Sequence, residues 1–264
     1  MCLILLAFKV HPDYPFIVAA NRDEYHSRPT AAASFWEDYP QLLAGRDLLC
    51  NGTWLGITTN GRFAALTNYR DPSLDRSDAT SRGLLVSDYL SGSAPAEGYL
   101  STLTTSSKTY NSFNLLAGTT DELYYYSNLG RGPEGLLPCV HGLSNNLLNA
   151  PWPKVTAGIS AINNLLPTVL APDPEPFFKL LADREPAPDN LLPDTGIGIE
   201  RERLLSPLFI CNPVYGTRSS TVILLDRKRK LFFSERTFGP AGENLGTASF
   251  QLEISDTYPP SIPP

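Results

Sequence analysis

Cysteine at position 2 has the widest chemical reach in this chain, because a small residue after Met1 permits removal of the initiator and leaves a thiol and an α-amino group on one residue. A cysteine thiol has a pKa near about 8.5 and an α-amine about 7.7–8.0, so modest surroundings activate either group near neutral pH. An amino-terminal residue that attacks a carbonyl with its own amine as proton acceptor is an established form of covalent catalysis. The run Asn21-Arg22-Asp23-Glu24 supplies complementary groups. Arg22 can stabilise a thiolate and orient a carbonyl or carboxylate, and Asp23 can hydrogen-bond an α-ammonium. Asn68 carries an amide able to donate to a developing oxyanion. The bland fate of the same residues is a small hydrophobe opening a strand and a solvated turn after one.

These groups meet only if strands bring them together. Leu3 to Phe8 is a continuous apolar run of strand length, bounded by His11-Pro12-Asp13 and partnered by Phe16 to Ala20. If Val10 pairs with Pro15 or Phe16, the register sets Cys2 opposite Asp23 or Glu24 with Arg22 adjacent, and a bulge displaces it by one. Asn60-Gly61 predicts a type I′ hairpin in which Thr59 pairs with Arg62 and Asn68 lies beside Thr53. A third hairpin joins Phe113–Ala117 to Leu123–Tyr126, and a last one joins Thr217–Leu225 to Leu231–Ser234 around Arg227-Lys228-Arg229-Lys230. Between them, residues 80–105 and 151–193 read as helices, the latter broken by prolines. Strand pairs at both ends with helices between predict an α+β domain of antiparallel sheets covered by helices. It spans 1–256 as one unit, followed by an extended proline-rich tail at 257–264.

Composition narrows the function. The 264 residues are 42% apolar and 18% charged, as in an ordinary globular protein, and 21 basic against 27 acidic residues leave a net charge of −6. No basic footprint for nucleic acid is present. The four cysteines, at 2, 50, 139 and 211, form no Cys-x-x-Cys pair for zinc or an iron–sulfur cluster and fit reduced thiols. Cys139 and His141 share a strand face without completing a metal site, and His11 and His26 sit in polar turns. The apolar run after Met1 is too short to span a membrane and lacks signal-peptide features, which predicts a cytoplasmic protein with no integral membrane segment.

Seven blocks in order carry a family resemblance. They are Met1-Cys2, Asn21-Arg22-Asp23-Glu24, Gly45-Arg46-Asp47, Gly52-Thr53-Trp54-Leu55-Gly56, Leu66-Thr67-Asn68, His141-Gly142-Leu143-Ser144-Asn145 and Tyr215-Gly216-Thr217-Arg218-Ser219-Ser220-Thr221. Together they resemble the NRDE family, that of transport and Golgi organisation protein 2, from residue 1 to about 238. Asn51 departs from the glycine common there. The family is in turn similar to N-terminal nucleophile hydrolases of the choloylglycine hydrolase and penicillin V acylase group. The resemblance implies a four-layer αββα sandwich, with Cys2 as nucleophile, Arg22 and Asp23 as its activating pair, Asn68 and Asn145 as oxyanion or amine contacts, and Arg218 as electrostatic support. Asn21, Glu24, Trp54 and His141 are expected beside the substrate, Asn21 and Glu24 because their run meets the nucleophile and Trp54 by hairpin pairing, although the core is the commoner fate of a strand tryptophan. The spacing of Arg22 and Asp23 is tighter than in those acylases.

Two readings follow. In one, the chain hydrolyses a small amide or related acyl bond, needs no cofactor, and requires a free α-amine on Cys2. In the other it is a non-catalytic carrier of haem or another hydrophobic anion, such as a lipid or acyl-thioester. There Arg22 and Arg218 would contact the ligand's carboxylates. A purely structural role for the seven blocks is a third, blander alternative.

Overall fold

Alternation of side chains along the first strand, β1 (Cys2–Phe8), sorts its apolar residues into two cores: Ile4, Leu6 and Phe8 face one, while Leu3, Leu5 and Ala7 face the other. A strand buried on both sides must lie inside a layered structure. The computed structural model, which describes residues 2–106 and 109–255, is built in that way. Met1 and the proline-rich tail at 257–264 lie outside the described residues.

The strand β2 (Phe16–Tyr25) pairs with β1, and the strands part earlier than the sequence predicts, at Phe8–Phe16 and not at Val10. Lys9 adopts a left-handed φ of 55° and its N–H donates to Pro15 O at 2.7 Å, so Phe8 faces Phe16. Cys2 therefore stands opposite Arg22, and not opposite Asp23 or Glu24.

Next along the chain come β3 (Thr30–Phe35), β4 (Leu42–Asp47), β5 (Leu55–Thr58) and β6 (Arg62–Asn68). The Asn60-Gly61 turn is not type I′. Gly61 alone takes a positive φ, 79°, and its N–H donates to Thr58 O at 2.9 Å, so a three-residue loop with a glycine bulge joins the strands. Ile57 then faces Phe63, one residue off the expected register, and on its other edge Asn68 pairs with Phe113 of the neighbouring strand.

Helices α1 (Gly83–Ser91) and α2 (Ala96–Ser106) follow, then β7 (Phe113–Thr119), β8 (Leu123–Ser127), the short β9 (Glu134–Gly135) and β10 (Cys139–Leu143). Helices α3 (Pro153–Leu165), α4 (Glu175–Leu181) and α5 (Ile199–Leu204) lead to β11 (Tyr215–Leu225), β12 (Lys230–Phe238) and β13 (Asn244–Glu253). Among the described residues all pairings between these strands are antiparallel, in a six-stranded sheet ordered β10-β1-β2-β11-β12-β13 and a seven-stranded sheet ordered β3-β4-β5-β6-β7-β8-β9.

Three apolar cores define four layers. The central core lies between the sheets, with Phe16, Phe63 and Phe233 in it; Phe16 and Phe63 meet edge to face at 5.1 Å. A second core joins the six-stranded sheet to α3 and α4, and a third joins the seven-stranded sheet to α1 and α2. The result is the expected αββα sandwich. Helix α3 lies so close to its sheet that a Cβ on Gly158 would come within 2.7 Å of Leu5 Cδ2, and one on Gly142 within 2.7 Å of Val155 Cγ1. No helix among the described residues is long and apolar enough to cross a membrane.

Candidate functional site

The strand period of two divides the Asn21-Arg22-Asp23-Glu24 run between layers. Phe16, Val18 and Ala20 face the other sheet, so Arg22 and Glu24 continue that inner face, whereas Asn21 and Asp23 follow Ile17 and Ala19 toward the helices. Cys2, on the inner face of β1, is directly across from Arg22. At this end the sheets part around a cleft of about 510 Å³, lined by Cys2, Arg22, Asp23, Glu24, Trp54, Asn68 and Arg218 among others. Trp54, 8% exposed, serves both the cleft wall and the central core.

The cleft is rich in guanidinium groups. Arg22 Nη1 donates to Thr30 Oγ1 at 3.3 Å. Arg28 is held by Asp47 Oδ2 at 2.5 Å and approaches Glu24 Oε2 at 3.9 Å. Arg46 forms a fork with Asp38, both contacts 2.7 Å, and lies 4.1 Å over the Trp36 ring. Arg82 donates to Ser112 O at 3.0 Å. Arg218 sits at the break in register between β11 and β2, where Thr217 pairs with Asp23 but Ser219 pairs with Arg22. This bulge frees its side chain to donate from Nη1 to Tyr25 O at 2.8 Å and Arg28 O at 3.0 Å, clamping the turn that follows β2. Burial, and then the nearby Arg22 charge, lowers the Arg218 pKa.

Against Arg22, Arg28, Arg46, Arg82 and Arg218 the cleft sets only Asp23, Glu24, Asp47 and Glu235. Glu235, 3% exposed, accepts from Ala33 N at 2.7 Å and spans the gap between the sheets; burial raises its pKa. The Cys2 thiol is raised too, first by burial and further by the Asp23 charge, while Arg22 and a main-chain hydrogen bond from Asp23 oppose the shift. A neutral thiol is the resting form, so nucleophilic attack needs a proton acceptor.

Behind the cleft, on the helix side of β2, Asp23 Oδ1 accepts from Thr217 Oγ1 at 2.7 Å and its main-chain oxygen from Tyr215 OH at 2.9 Å. Lys154, the second residue of α3, is 3% exposed and holds Nζ 3.8 Å from Asp23 Oδ2. Burial raises the Asp23 pKa and lowers that of Lys154, and each charge counteracts the other's shift. Arg70, also buried, meets Glu202 Oε2 at 2.5 Å.

Three residues expected at the site lie outside the cleft lining. Asn21 is fully buried behind the sheet; Nδ2 donates to Leu181 O at 2.9 Å and Leu208 O at 2.8 Å, and Oδ1 accepts from Ser220 Oγ at 2.6 Å. His141 Nε2 contacts Leu137 O at 2.9 Å and Nδ1 contacts Asn149 Nδ2 at 3.2 Å, which shapes the loop flanking β10. Asn145 donates from Nδ2 to Asn68 O at 2.9 Å and acts on the cleft through the main chain of Asn68. The neighbouring Ser144 Oγ donates to Cys2 O at 3.0 Å. Sequence reasoning missed Lys154, Glu235 and Arg82. The only signal was Lys154 itself, a cation in the first turn of a helix, where the macrodipole disfavours it.

The family model for "Transport and Golgi organisation 2" matches residues 1–240. The chain belongs to this family. The family's Transport and Golgi organization protein 2 homolog of Bos taurus is 38% identical, over 96% of this chain and 100% of its own. Among solved structures, the chain is similar to a Caenorhabditis elegans ortholog of N-acylethanolamine-hydrolyzing acid amidase, at 12% identity and a TM-score of 0.46, covering 84% of this chain and 92% of that one. It is also similar to the C2A mutant of conjugated bile acid hydrolase from Clostridium perfringens, at 9% identity and a TM-score of 0.47, covering 97% and 98%.

Proposed function

We propose that this chain is an N-terminal-cysteine amidohydrolase acting on a small amide or related acyl bond, with Cys2 as its amino-terminal residue. The observation that carries the reading is that Cys2 lines the cleft directly across the ladder from Arg22, with Asn68 lining the same cleft from the facing sheet. In the first half-reaction the α-amine takes the thiol proton, sulfur bonds to the carbonyl carbon, and the tetrahedral oxyanion accepts a hydrogen bond from the Asn68 amide. Collapse breaks the carbon–nitrogen bond, the α-ammonium returns its proton to the leaving amine, and a thioester remains on Cys2. Water, deprotonated by the same amine, then releases the acid. The guanidinium-rich lining favours a substrate with an anionic or strongly accepting group.

The test starts from protein whose intact mass shows Cys2 first, offered a panel of small amides, esters and thioesters. Expected are turnover, a trapped acyl adduct on Cys2, and loss of both in Cys2→Ala. Full activity in Cys2→Ala on a genuine substrate would end the nucleophile assignment. The excess of guanidinium groups and the neutral resting thiol also favour a second reading, a carrier of haem or another hydrophobic anion in the same cleft. That reading expects a saturable Soret shift on haem titration, weakened in Arg22→Ala or Arg218→Ala; absence of the shift at micromolar haem counts against haem.

A further inference from the structure

Lys154 is a costly residue that neither reading uses. Its ammonium is fully desolvated, stands in the first turn of α3 where helix peptide dipoles repel it, and makes no hydrogen bond among the described residues. Its nearest anion is Asp23 Oδ2 at 3.8 Å, beyond hydrogen-bond range but well within strong Coulomb coupling. The nearby cation Arg70 has a carboxylate of its own, Glu202 Oε2, at 2.5 Å. Arg22 points to the opposite face of β2. Among the described residues Lys154 is the stronger of the two cations acting on the Asp23 carboxylate from the helix side, ahead of Arg70.

The position of an α-amino group on Cys2 follows from the register. Cys2 pairs with Arg22, and the next ladder position outward belongs to Asp23, so the nitrogen of Cys2 lies between the Arg22 and Asp23 registers. An uncompensated carboxylate there would bind that amine as an ammonium ion and keep it from accepting the thiol proton. The other ionisable groups around this point are the Cys2 thiol, Arg22 and Arg82 on the cleft side, and Arg70 and Tyr215 behind, the Tyr215 hydroxyl donating to Asp23 O. Neither thiol nor phenol is charged at rest, because burial raises both.

We propose that Lys154 is a positioning residue for proton transfer: by neutralising Asp23 it leaves the Cys2 α-amine as a free base at neutral pH. This inference rests on the hydrolase reading for its purpose, but its test does not need a substrate. Full-length chain from residue 2 onward, released from a leader by a site-specific protease so that Cys2 is first, is labelled with ¹³C-cysteine. Cys2 Cα then reports the amine and Cβ the thiol as pH is varied. In Lys154→Met the amine midpoint should rise by about one pH unit or more, a tenfold loss of free base at pH 7. Lys154→Arg should hold the parent value, and Asp23→Asn, which removes the attracting carboxylate, should move the midpoint down. A structural role alone lowers stability without moving the midpoint. A midpoint within about 0.3 units of the parent in both Lys154→Met and Asp23→Asn would overturn the proposal, whereas failure of every acyl substrate with these midpoints shifted as expected would count against the hydrolase reading alone.

Discussion

Asn21 offers a sharp test, because its position in the sequence points toward a ligand while its contacts point toward the scaffold. Replacing it by alanine strips partners from Leu181 O, Leu208 O and Ser220 Oγ, all behind the sheet and out of reach of the cleft. A buried polar group left unpaired costs about 1–3 kcal/mol, so with some relaxation Asn21→Ala should lose about 3–5 kcal/mol. That is a large share of the roughly 5–15 kcal/mol that holds a typical domain. At about 2–4 °C per kcal/mol for a chain of this size, the melting temperature should fall by about 6–20 °C. Urea unfolding followed by tryptophan fluorescence gives the free energy, and thermal melts check it. Asn21→Asp should be worse at neutral pH, since a carboxylate would face two carbonyl oxygens. The pKa of that carboxyl would be raised by its surroundings, so the folded state binds its proton more tightly and the variant should regain stability as pH falls. An alanine variant within about 1 kcal/mol of the parent that has nevertheless lost ligand or turnover would refute this reasoning and return Asn21 to the site.

Two further outcomes follow from the packing. Burial raises the Glu235 pKa above its ordinary 4.5, so its proton binds the folded chain more tightly. Its contribution is fullest below that value and declines as pH rises toward the folded one. Glu235→Gln should therefore gain on the parent from about pH 4 upward and then plateau; parallel stability curves in urea between about pH 4 and 8 would show that the carboxyl carries no such burden. Gly142→Ala should cost about 1–3 kcal/mol, because the new methyl meets Val155 Cγ1 at 2.7 Å and Ile159 Cδ1 at 3.0 Å. Adding Val155→Ala should recover part of the loss, and additive penalties would place the strain elsewhere.

The hairpins around residues 61, 120 and 228 were legible because each joins apolar strands across turn-forming residues, and the helices at 83–106 and 153–165 show their buried faces in sequence. Registers were less legible. Lys9 in a left-handed conformation and the three-residue loop ending at Gly61 each displaced a pairing, since the turn type depends on φ angles that residue identity only biases. Strand β13 escaped notice because it is an edge strand with mostly exposed side chains and little apolar signal. At the site, Cys2, Arg22, Asp23, Asn68 and Arg218 could be named from their motifs, and they do line one cleft. Lys154 and Glu235 could not, because an isolated charged residue in sequence is ordinarily solvated, and only tertiary packing reveals that these two are sealed.

The two-residue beat of β2 has a consequence for tolerance to mutation. Alternate positions there serve different ends, since one set stitches the sheet to its helices and the other is presented to whatever enters between the sheets. In a saturation library, abundance should track positions 21 and 23, whereas ligand-dependent selection should add 22 and 24 and weigh on 23 as well, since Asp23 also reaches the cleft. Neutral drift could thus erase chemistry from the chamber while leaving the scaffold intact, and a descendant that had lost its reaction would still fold as its ancestor did.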